Sequence, residues 1–184
     1  MSKEQKATYQ DIIELPEHLV GELIDGKLYS YSHTPVPFVF TRSRLLSLLG
    51  APFHLGKGGP GSWQILYSPE LHLGEDVLVP DVCGYRKSRL PRIPNLPFFE
   101  LAPDWVGEVV TPAIRDVDRE RKLPVYAKAK VEWLWMLDIE TRTLEILRRE
   151  GPGWFLFQSL HGALRMRAEP FDAIELDLGE LWVP

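Results

Sequence analysis

Residues 104–139, DWVGEVVTPAIRDVDRERKLPVYAKAKVEWLWMLDI, decide the fold. Asp104 to Val110 is apolar on both faces, which is typical of a central strand covered on both sides. Thr111-Pro112 breaks that strand, and Ala113 to Lys130 has the pattern of a helix, although Pro124 would kink a helix interior. Trp133 to Ile139 is again strand-like. The stretch therefore predicts a strand, then a helix, then a second strand.

The flanking sequence adds further elements of both kinds. Asp25-Gly26 is a strong turn signal in a hairpin over Leu19 to Tyr31. Helices are predicted at 9–15 and 36–49, the second stopping at Gly50, and strands at 63–73, 77–83, 142–149 and 154–160. This order predicts an α/β (α+β) domain with a central mixed sheet, flanking helices, an N-terminal hairpin and C-terminal antiparallel strands. We expect one domain over 1–184, with 1–18 as an N-terminal extension.

Composition and charge limit the function classes. The chain has 184 residues, a formal net charge of −5 and one cysteine, Cys83, so a disulfide framework is excluded and a cytoplasmic location is expected. The polar N-terminus does not fit a secretory signal, and no apolar run reaches membrane-spanning length. Residues 86–130 carry 10 Lys/Arg against 6 Asp/Glu, so an acidic protein has a basic centre. That disfavours a nonspecific nucleic-acid coat but permits local contact with phosphate.

Two carboxylates and one lysine stand out. Asp81 ends an apolar strand, and Glu108 lies inside another, where a charge must be paired, metal-bound or protonated. Lys122 shares a helix face with Asp118 and Tyr126 by its spacing. Two carboxylates from neighbouring strands can hold Mg²⁺, and a nearby lysine can orient or deprotonate a water. These are the parts for metal-assisted phosphodiester hydrolysis, although Glu108 and Lys122 could equally form a structural ion pair.

The sequence from Gly21 onward resembles the Uma-type restriction endonuclease family, a branch of the PD-(D/E)XK nuclease superfamily. The segments that carry the resemblance are GELIDGKLYSYS (21–32), GEDVLVPDVCGYR (74–86), 101–138 and EPFDAIELDLGELW (169–182). They cover nearly the whole chain in the same order. The resemblance implies a restriction-endonuclease-like core, with Mg²⁺ or Mn²⁺ as cofactor and nucleic acid, DNA before RNA, as substrate.

The resemblance also implies roles for particular residues. Pro80-Asp81 matches the Pro-Asp of the superfamily name, and Glu108 the acidic member of the next strand. The usual lysine two residues later is absent at Val110, and Lys122 occupies the place to which this family is thought to move it. Glu22 matches a further acidic position. The implied catalytic set is thus Asp81, Glu108 and Lys122, and the implied metal ligands are Asp81, Glu108 and Glu22. Two departures, Ala113 after Thr111-Pro112 and Lys130 in place of glycine, concern loop geometry.

Partners follow from the basic centre and the late tryptophans. We expect five cations to contact nucleic-acid phosphates: Arg86, Lys87, Arg115, Arg119 and Lys128. Trp133, Trp135 and Trp154 suggest a homodimer, since nucleases that act on duplexes often need two active sites. The competing hypothesis is a non-catalytic module on the same fold, which binds nucleic acid or protein and which the missing lysine at Val110 favours.

Overall fold

The computed structural model describes residues 6–32, 35–110 and 117–183, and for Val117 and Asp118 the backbone only. Of the predicted nucleic-acid contacts, Arg115 lies outside the described residues. The strands are β1 (Val20–Ile24), β2 (Lys27–Tyr31), β3 (Trp63–Tyr67), β4 (Leu71–Leu73), β5 (Asp76–Leu78), β6 (Val82–Arg86), β7 (Trp105–Val110), β8 (Trp133–Asp138), β9 (Thr143–Glu150), β10 (Gly153–His161), β11 (Arg165–Met166) and β12 (Leu176–Asp177). The α-helices are α1 (Tyr9–Ile13), α2 (Val36–Leu49) and α3 (Leu123–Lys128).

A six-stranded mixed sheet forms the centre of the molecule, in the order β10-β9-β8-β7-β6-β3. Only the β7–β8 pair is parallel among the described strands of this sheet, and Trp105 pairs there with Trp133. Parallel neighbours require a crossover connection, which the chain makes between 110 and 133. All six residues of β7 are buried, as the apolar pattern on both faces predicted. The predicted mixed α/β fold with a central mixed sheet is confirmed.

A second sheet of four strands, β2-β1-β5-β4, contains the predicted hairpin. Asp25 and Gly26 both have positive φ, 52° and 72°, the geometry that a two-residue type I′ turn requires. The backbone N–H of Asp25 also donates to Oδ1 of Asp76, at 2.8 Å. This bond fixes the hairpin tip against β5.

Two predicted strands are each broken in the structure. The expected strand 77–83 is divided between β5 of the small sheet and β6 of the large sheet, because Val79-Pro80-Asp81 crosses from one to the other and Pro80 has no N–H for a ladder. The expected strand 63–73 is similarly split into β3 and β4, and Ser68 between them has φ +42°. Short strands on two sheets thus replace two long ones.

The helices differ from prediction near glycine and proline. α2 ends at Leu49 as predicted, but Gly50 does not turn the chain out of a helical path, since its φ and ψ of −64° and −47° are helical and a π-helical turn follows over Gly50–His54. Pro124 is not in a helix interior, because a π-helical turn over Val117–Lys122 comes first and Pro124 falls in the first turn of α3. Within the described chain, the helices are all too short or too polar to cross a bilayer.

Hydrophobic cores lie on both faces of the large sheet. The core on the α2 side includes Trp105, Trp135 and Phe171, with Phe171 in edge contact with both indoles. The opposite core includes Tyr126 of α3. Trp133 and Trp135 are therefore buried, and Trp154 is partly buried with its indole N–H donating to the Leu123 carbonyl. These tryptophans pack within the protein, so they do not form the exposed patch that the dimer prediction assumed.

We expect Gly107→Ala in β7 to destabilise the protein by about 1–3 kcal/mol, because the core there has no room for a methyl group. A Cβ at Gly107 would lie 2.9 Å from the buried Trp105 ring and 3.2 Å from Leu45. Urea unfolding measures the effect. Gly153→Ala is the control, since a Cβ there would meet nothing within 4 Å. Equal unfolding midpoints for the two variants would contradict the packing argument.

Candidate active site

Asp81 lies at the point where the chain enters the large sheet, and its carboxylate is held from two sides. Oδ1 is 2.6 Å from a guanidinium nitrogen of Arg42 on α2. Oδ2 accepts a hydrogen bond of 2.6 Å from the backbone N–H of Val109 in β7. Only 7% of the residue is exposed. The buried carboxylate is thus fixed between α2 and the strand that carries Glu108.

Glu108 projects from β7 toward α3, on the same side as Val106 and Val110. Its Oε1 accepts a 2.7 Å hydrogen bond from the Tyr126 hydroxyl, and its Oε2 accepts from the backbone N–H of Asp81 at 3.2 Å. Each of the two acidic side chains therefore binds the backbone of the other's segment. This reciprocal arrangement makes Asp81 and Glu108 neighbours, as their places on adjacent antiparallel strands require.

Glu22 and Lys122 complete the cluster. Oε1 of Glu22, on β1, accepts from the Val79 N–H at 2.8 Å and lies 3.0 Å from the Lys122 ammonium. The same ammonium is 3.6 Å from Oε1 of Glu108. Oε2 of Glu22 is buried and has no hydrogen-bond partner among the described residues. Such an atom is costly to bury unless a further group binds it.

The structure thus brings together the four residues that the sequence singled out, Glu22, Asp81, Glu108 and Lys122. They come from β1, the β5–β6 crossing, β7 and the π-helical turn before α3, and all four are buried. Their convergence is a structural finding, whereas their catalytic and metal-binding roles stay predictions. The side chain of Asp118, on the predicted shared helix face, is outside the described residues.

The cluster includes two residues that the sequence does not predict, Tyr126 and Arg42. Tyr126 is predicted to share a helix face with Lys122, but it is not among the predicted site residues. Arg42 is not among the predicted site residues either. It follows Phe38 by four residues and precedes Leu45 by three, and both of those are buried. A cation on the apolar face of an amphipathic helix was the available signal, because such a charge needs a buried partner.

Burial makes two carboxylates of the cluster, those of Asp81 and Glu22, hard to ionise. Burial raises the pKa of Asp81 from 3.8 to about 7, the Glu108 carboxylate adds to the rise, and the Arg42 guanidinium opposes it. Burial also raises the pKa of Glu22, where the Lys122 ammonium opposes the rise and Glu108 adds to it. Strongly perturbed carboxylates with named charge partners are typical of functional sites.

We expect the metal-free protein to lose stability as the pH rises from about 4 to about 7. The folded pKa of Asp81 lies above its unfolded value, so the folded state binds more protons in that window and linkage gives the sign. At roughly 1.4 kcal/mol per pKa unit, the effect is a few kcal/mol. Urea unfolding in chelator measures it. Asp81→Asn should flatten this dependence and Asp76→Asn should not; an unchanged slope in Asp81→Asn would contradict the assignment.

The donor set suits a small oxygen-seeking cation in part. Among the described residues, no group of three His, Cys, Asp or Glu side chains is arranged to hold a metal ion. Mg²⁺, however, is commonly held by one or two carboxylates, with waters and substrate oxygens as the other ligands. Asp81 and Glu108 supply that pair, and each oxygen keeps a lone pair beyond the bonds described above. The unpaired Oε2 of Glu22 is a third acceptor nearby. The residues present therefore fit the ion.

The predicted phosphate contacts lie in different parts of the surface. Lys87 donates to the carbonyls of His54 and Gly61, at 2.9 and 2.7 Å, so its ammonium binds both ends of the loop over residues 55–60 next to the end of β6. Arg86 stacks on Trp63, with its guanidinium carbon 4.7 Å from the ring centroid.

The other two described cations differ in setting. Arg119 pairs with Glu145 at 2.7 Å. Register places Glu145 two strands from Glu108, or about 10 Å at the usual strand spacing, through Met136. Lys128 is exposed at the end of α3 and lines a cleft on another part of the molecule. The Arg119 guanidinium therefore lies beside a residue that is in register with Glu108 across the sheet.

The protein is thus a mixed α/β protein in which a buried acidic pair, Asp81 and Glu108, lies where two adjacent strands meet. The chain belongs to the Uma2 family, described as "Putative restriction endonuclease", whose model matches residues 8–179. This confirms the family resemblance.

A solved structure supports the same fold. It is the crystal structure of "a putative nuclease belonging to DUF820" from Anabaena variabilis ATCC 29413, with a TM-score of 0.74 and 19% identity. The similarity covers 95% of this chain and 96% of that chain. A search of curated proteins gave no match to this sequence.

Proposed function

We propose that the protein is a metal-dependent nuclease that hydrolyses phosphodiester bonds of nucleic acid, DNA in the first place. Family membership supports the class of activity. The observation that carries the proposal is the buried cluster of Glu22, Asp81 and Glu108 around Lys122. When all three carboxylates are ionised, they outnumber the cations Lys122 and Arg42 in a water-poor site, and a divalent ion would favour that ionised state by offsetting the excess negative charge.

Asp81 and Glu108 would hold Mg²⁺ or Mn²⁺, with Glu22 as a further ligand. The ion, when bound, would polarise the scissile phosphate and lower the pKa of a water. Lys122, held between Glu22 and Glu108, would orient that water and balance charge as it develops. The Tyr126 hydroxyl and the Arg42 guanidinium would keep the two carboxylates in position by their hydrogen bonds.

The second candidate is a non-catalytic binding module on the same fold. Its supporting observation is the absence of the usual lysine at Val110, together with hydrogen bonds or ion pairs to both oxygens of Asp81 and of Glu108. On this reading the cluster is a structural ion network. It would bind no metal and cut nothing.

Calorimetry and cleavage assays separate the two candidates. We expect Mg²⁺ and Mn²⁺ to bind the native protein at millimolar or lower concentration, and Asp81→Asn to abolish that binding. We also expect cleavage of plasmid DNA or of RNA that stops in chelator. An absence of metal binding would overturn the nuclease proposal and support the binding module. Metal binding without cleavage of either polymer would overturn the proposed reaction.

We further propose that the active form is a homodimer, formed along β10 rather than through the buried tryptophans. β10 is an end strand of the large sheet, has nine residues without a charge, and leaves Phe155 and Leu156 about half exposed. A long apolar edge strand favours antiparallel pairing with an identical strand about a two-fold axis.

Leu156→Lys should disrupt such a dimer, whereas Val20→Lys, at another exposed apolar position, should not. Light scattering with size exclusion measures the mass. A monomeric native protein at micromolar concentration would overturn the dimer.

A further inference from the structure

A basic cleft of about 700 Å³ lies away from the carboxylate cluster, at the opposite end of the large sheet. Its walls are formed by residues near the starts of β7 and β8 and near the ends of β9 and α3. Asp104, just before β7, lies on its wall, and Glu108 is four residues further along the strand, or about 13 Å at the strand rise. Its cationic lining residues are Arg89, Lys128, Lys130, Arg148 and Arg149.

The acidic residues of the cleft do not neutralise these cations. Oδ1 of Asp104 pairs with Arg89 at 2.8 Å, and its Oδ2 accepts the backbone N–H of Arg86 at 2.8 Å, so this carboxylate is saturated. Glu132 lies 3.9 Å from Arg86. Glu100 is exposed at the rim. Arg148 pairs with Glu150 at 2.7 Å. Five cations against these four carboxylates still leave the cleft with an excess of positive charge.

Three of the cations lack an acidic partner in the described chain. The ammonium groups of Lys128 and Lys130 form no ion pair with a described residue. The Arg149 guanidinium donates to the Gly151 carbonyl at 3.2 Å and forms no ion pair with a described residue, and its Nε is buried without a hydrogen-bond partner among the described residues. Cations that have no partner in the protein are available to an anion.

Lys130 has a backbone that its residue type does not favour. Its φ is +67°, a left-handed conformation that costs a residue other than glycine roughly 1–2 kcal/mol. Glycine would remove that strain, yet the chain places a lysine there, at a position that lines the cleft. A strained residue that also carries a charge into a cleft points to a role for the charge.

We propose that the basic cleft is a second nucleic-acid contact, which binds backbone phosphates through Lys128, Lys130 and Arg149. The nature of the ligand rests on the proposed nuclease function, whereas the anion chemistry rests on the cleft itself. Lysine ammonium groups act as point charges toward phosphate, so the contact supplies affinity without reading sequence. The cleft would hold a strand of the polymer while the carboxylate cluster acts on a different phosphate.

The test is binding in chelator, where cleavage does not occur. A short fluorescein-labelled DNA duplex and the matching RNA duplex are titrated by fluorescence anisotropy over a series of salt concentrations. We expect Lys130→Gly to reduce the slope of log K against log salt by about 1, and Lys128→Gln with Lys130→Gly to reduce it by about 2. Lys130→Gly relaxes the backbone, so its loss of binding cannot come from unfolding.

Arg142→Gly is the matched control. Arg142 also has a positive φ, 49°, and it lies just before β9, at the far end of that strand from Arg149. The same loss of charge and relief of strain should leave the slope unchanged there. Equal slopes for the native protein and Lys130→Gly, equal losses in both glycine variants, or no binding of either duplex would each overturn the cleft.

Two further results separate this inference from the proposed function. Binding that needs the cleft, in a protein that cleaves neither polymer, would overturn the nuclease and keep the cleft. If the cleft variants bind and cleave nucleic acid as the native protein does, the cleft would be overturned and the nuclease kept. A rise in melting temperature with pyrophosphate that Lys130→Gly removes, without duplex binding, would assign the cleft to a free anion and overturn the nucleic-acid contact.

Discussion

Replacing Glu108 with glutamine is expected to lower the rate of metal-dependent phosphodiester cleavage by about 10³-fold or more, while the protein stays folded. A metal-bound phosphate gains several kcal/mol in the transition state, and each 1.4 kcal/mol is worth about a factor of ten in rate. Glutamine keeps the volume of Glu108 and an oxygen for the Tyr126 hydroxyl, but it removes the charge. Single-turnover cleavage of a labelled substrate measures the loss.

Asp76→Asn is the matched control for that variant. Asp76 is also a buried strand carboxylate, but it accepts from the Asp25 N–H in the hairpin and takes no part in the cluster. Its cleavage rate should equal that of the native protein. Calorimetry should show weaker Mg²⁺ binding for Glu108→Gln only. Native rates and native metal affinity in Glu108→Gln would remove Glu108 from the site.

Replacing Lys122 with methionine is expected to destabilise the metal-free protein by about 3–5 kcal/mol above neutral pH. The change leaves Glu22 and Glu108 buried without the cation that lies 3.0 and 3.6 Å from them. At mildly acidic pH the loss should shrink, because a protonated Glu22 needs no cation and burial already raises its pKa. Urea unfolding at the two pH values measures both effects.

The control for this variant is Lys128→Met, six residues further along the chain. Lys128 is exposed, and a surface substitution of this kind changes stability by about 0.5 kcal/mol or less. Adding Glu22→Gln to Lys122→Met should recover much of the lost stability, because it removes a charge that the methionine left uncompensated. Native-like stability of Lys122→Met above neutral pH would mean that the lysine does not compensate the carboxylates.

The parts of the fold that sequence predicted are those that depend on one local pattern. β7 is apolar on both faces because it is covered on both faces, and Asp25-Gly26 has few alternatives to a tight turn. The crossing from the small to the large sheet at Val79 to Asp81 is not predicted by the sequence, because an apolar run does not indicate that its two halves belong to different sheets. Gly50 ends α2 as its residue type suggests, but its helical dihedral angles lead into a π-helical turn with Pro52 and Phe53 buried, which propensity does not predict.

The site was predictable to the extent that its members conflict with their surroundings. Glu108 is an acid within an apolar strand, and Lys122 lies at helical spacing before Tyr126. Arg42 shows the same conflict on α2 and was not recognised. The partnership of Arg42 with Asp81 depends on how α2 packs over the sheet, which spacing along one element does not contain. Which oxygen each cation approaches is likewise a property of the assembled fold.

The crossing between the sheets has a mechanical consequence. Pro80 has no N–H, so this three-residue link has two backbone donors, and a site carboxylate accepts from each: Glu22 of the small sheet from Val79, and Glu108 of the large sheet from Asp81. The carboxylates of Glu22 and Glu108 therefore also hold the link between the two sheets in place. Protonation of these carboxylates, or their binding to another group, would change how firmly the two sheets are held together at this link. Hydrogen exchange of the Val79 and Asp81 amide protons would therefore report occupancy of the site without any reaction.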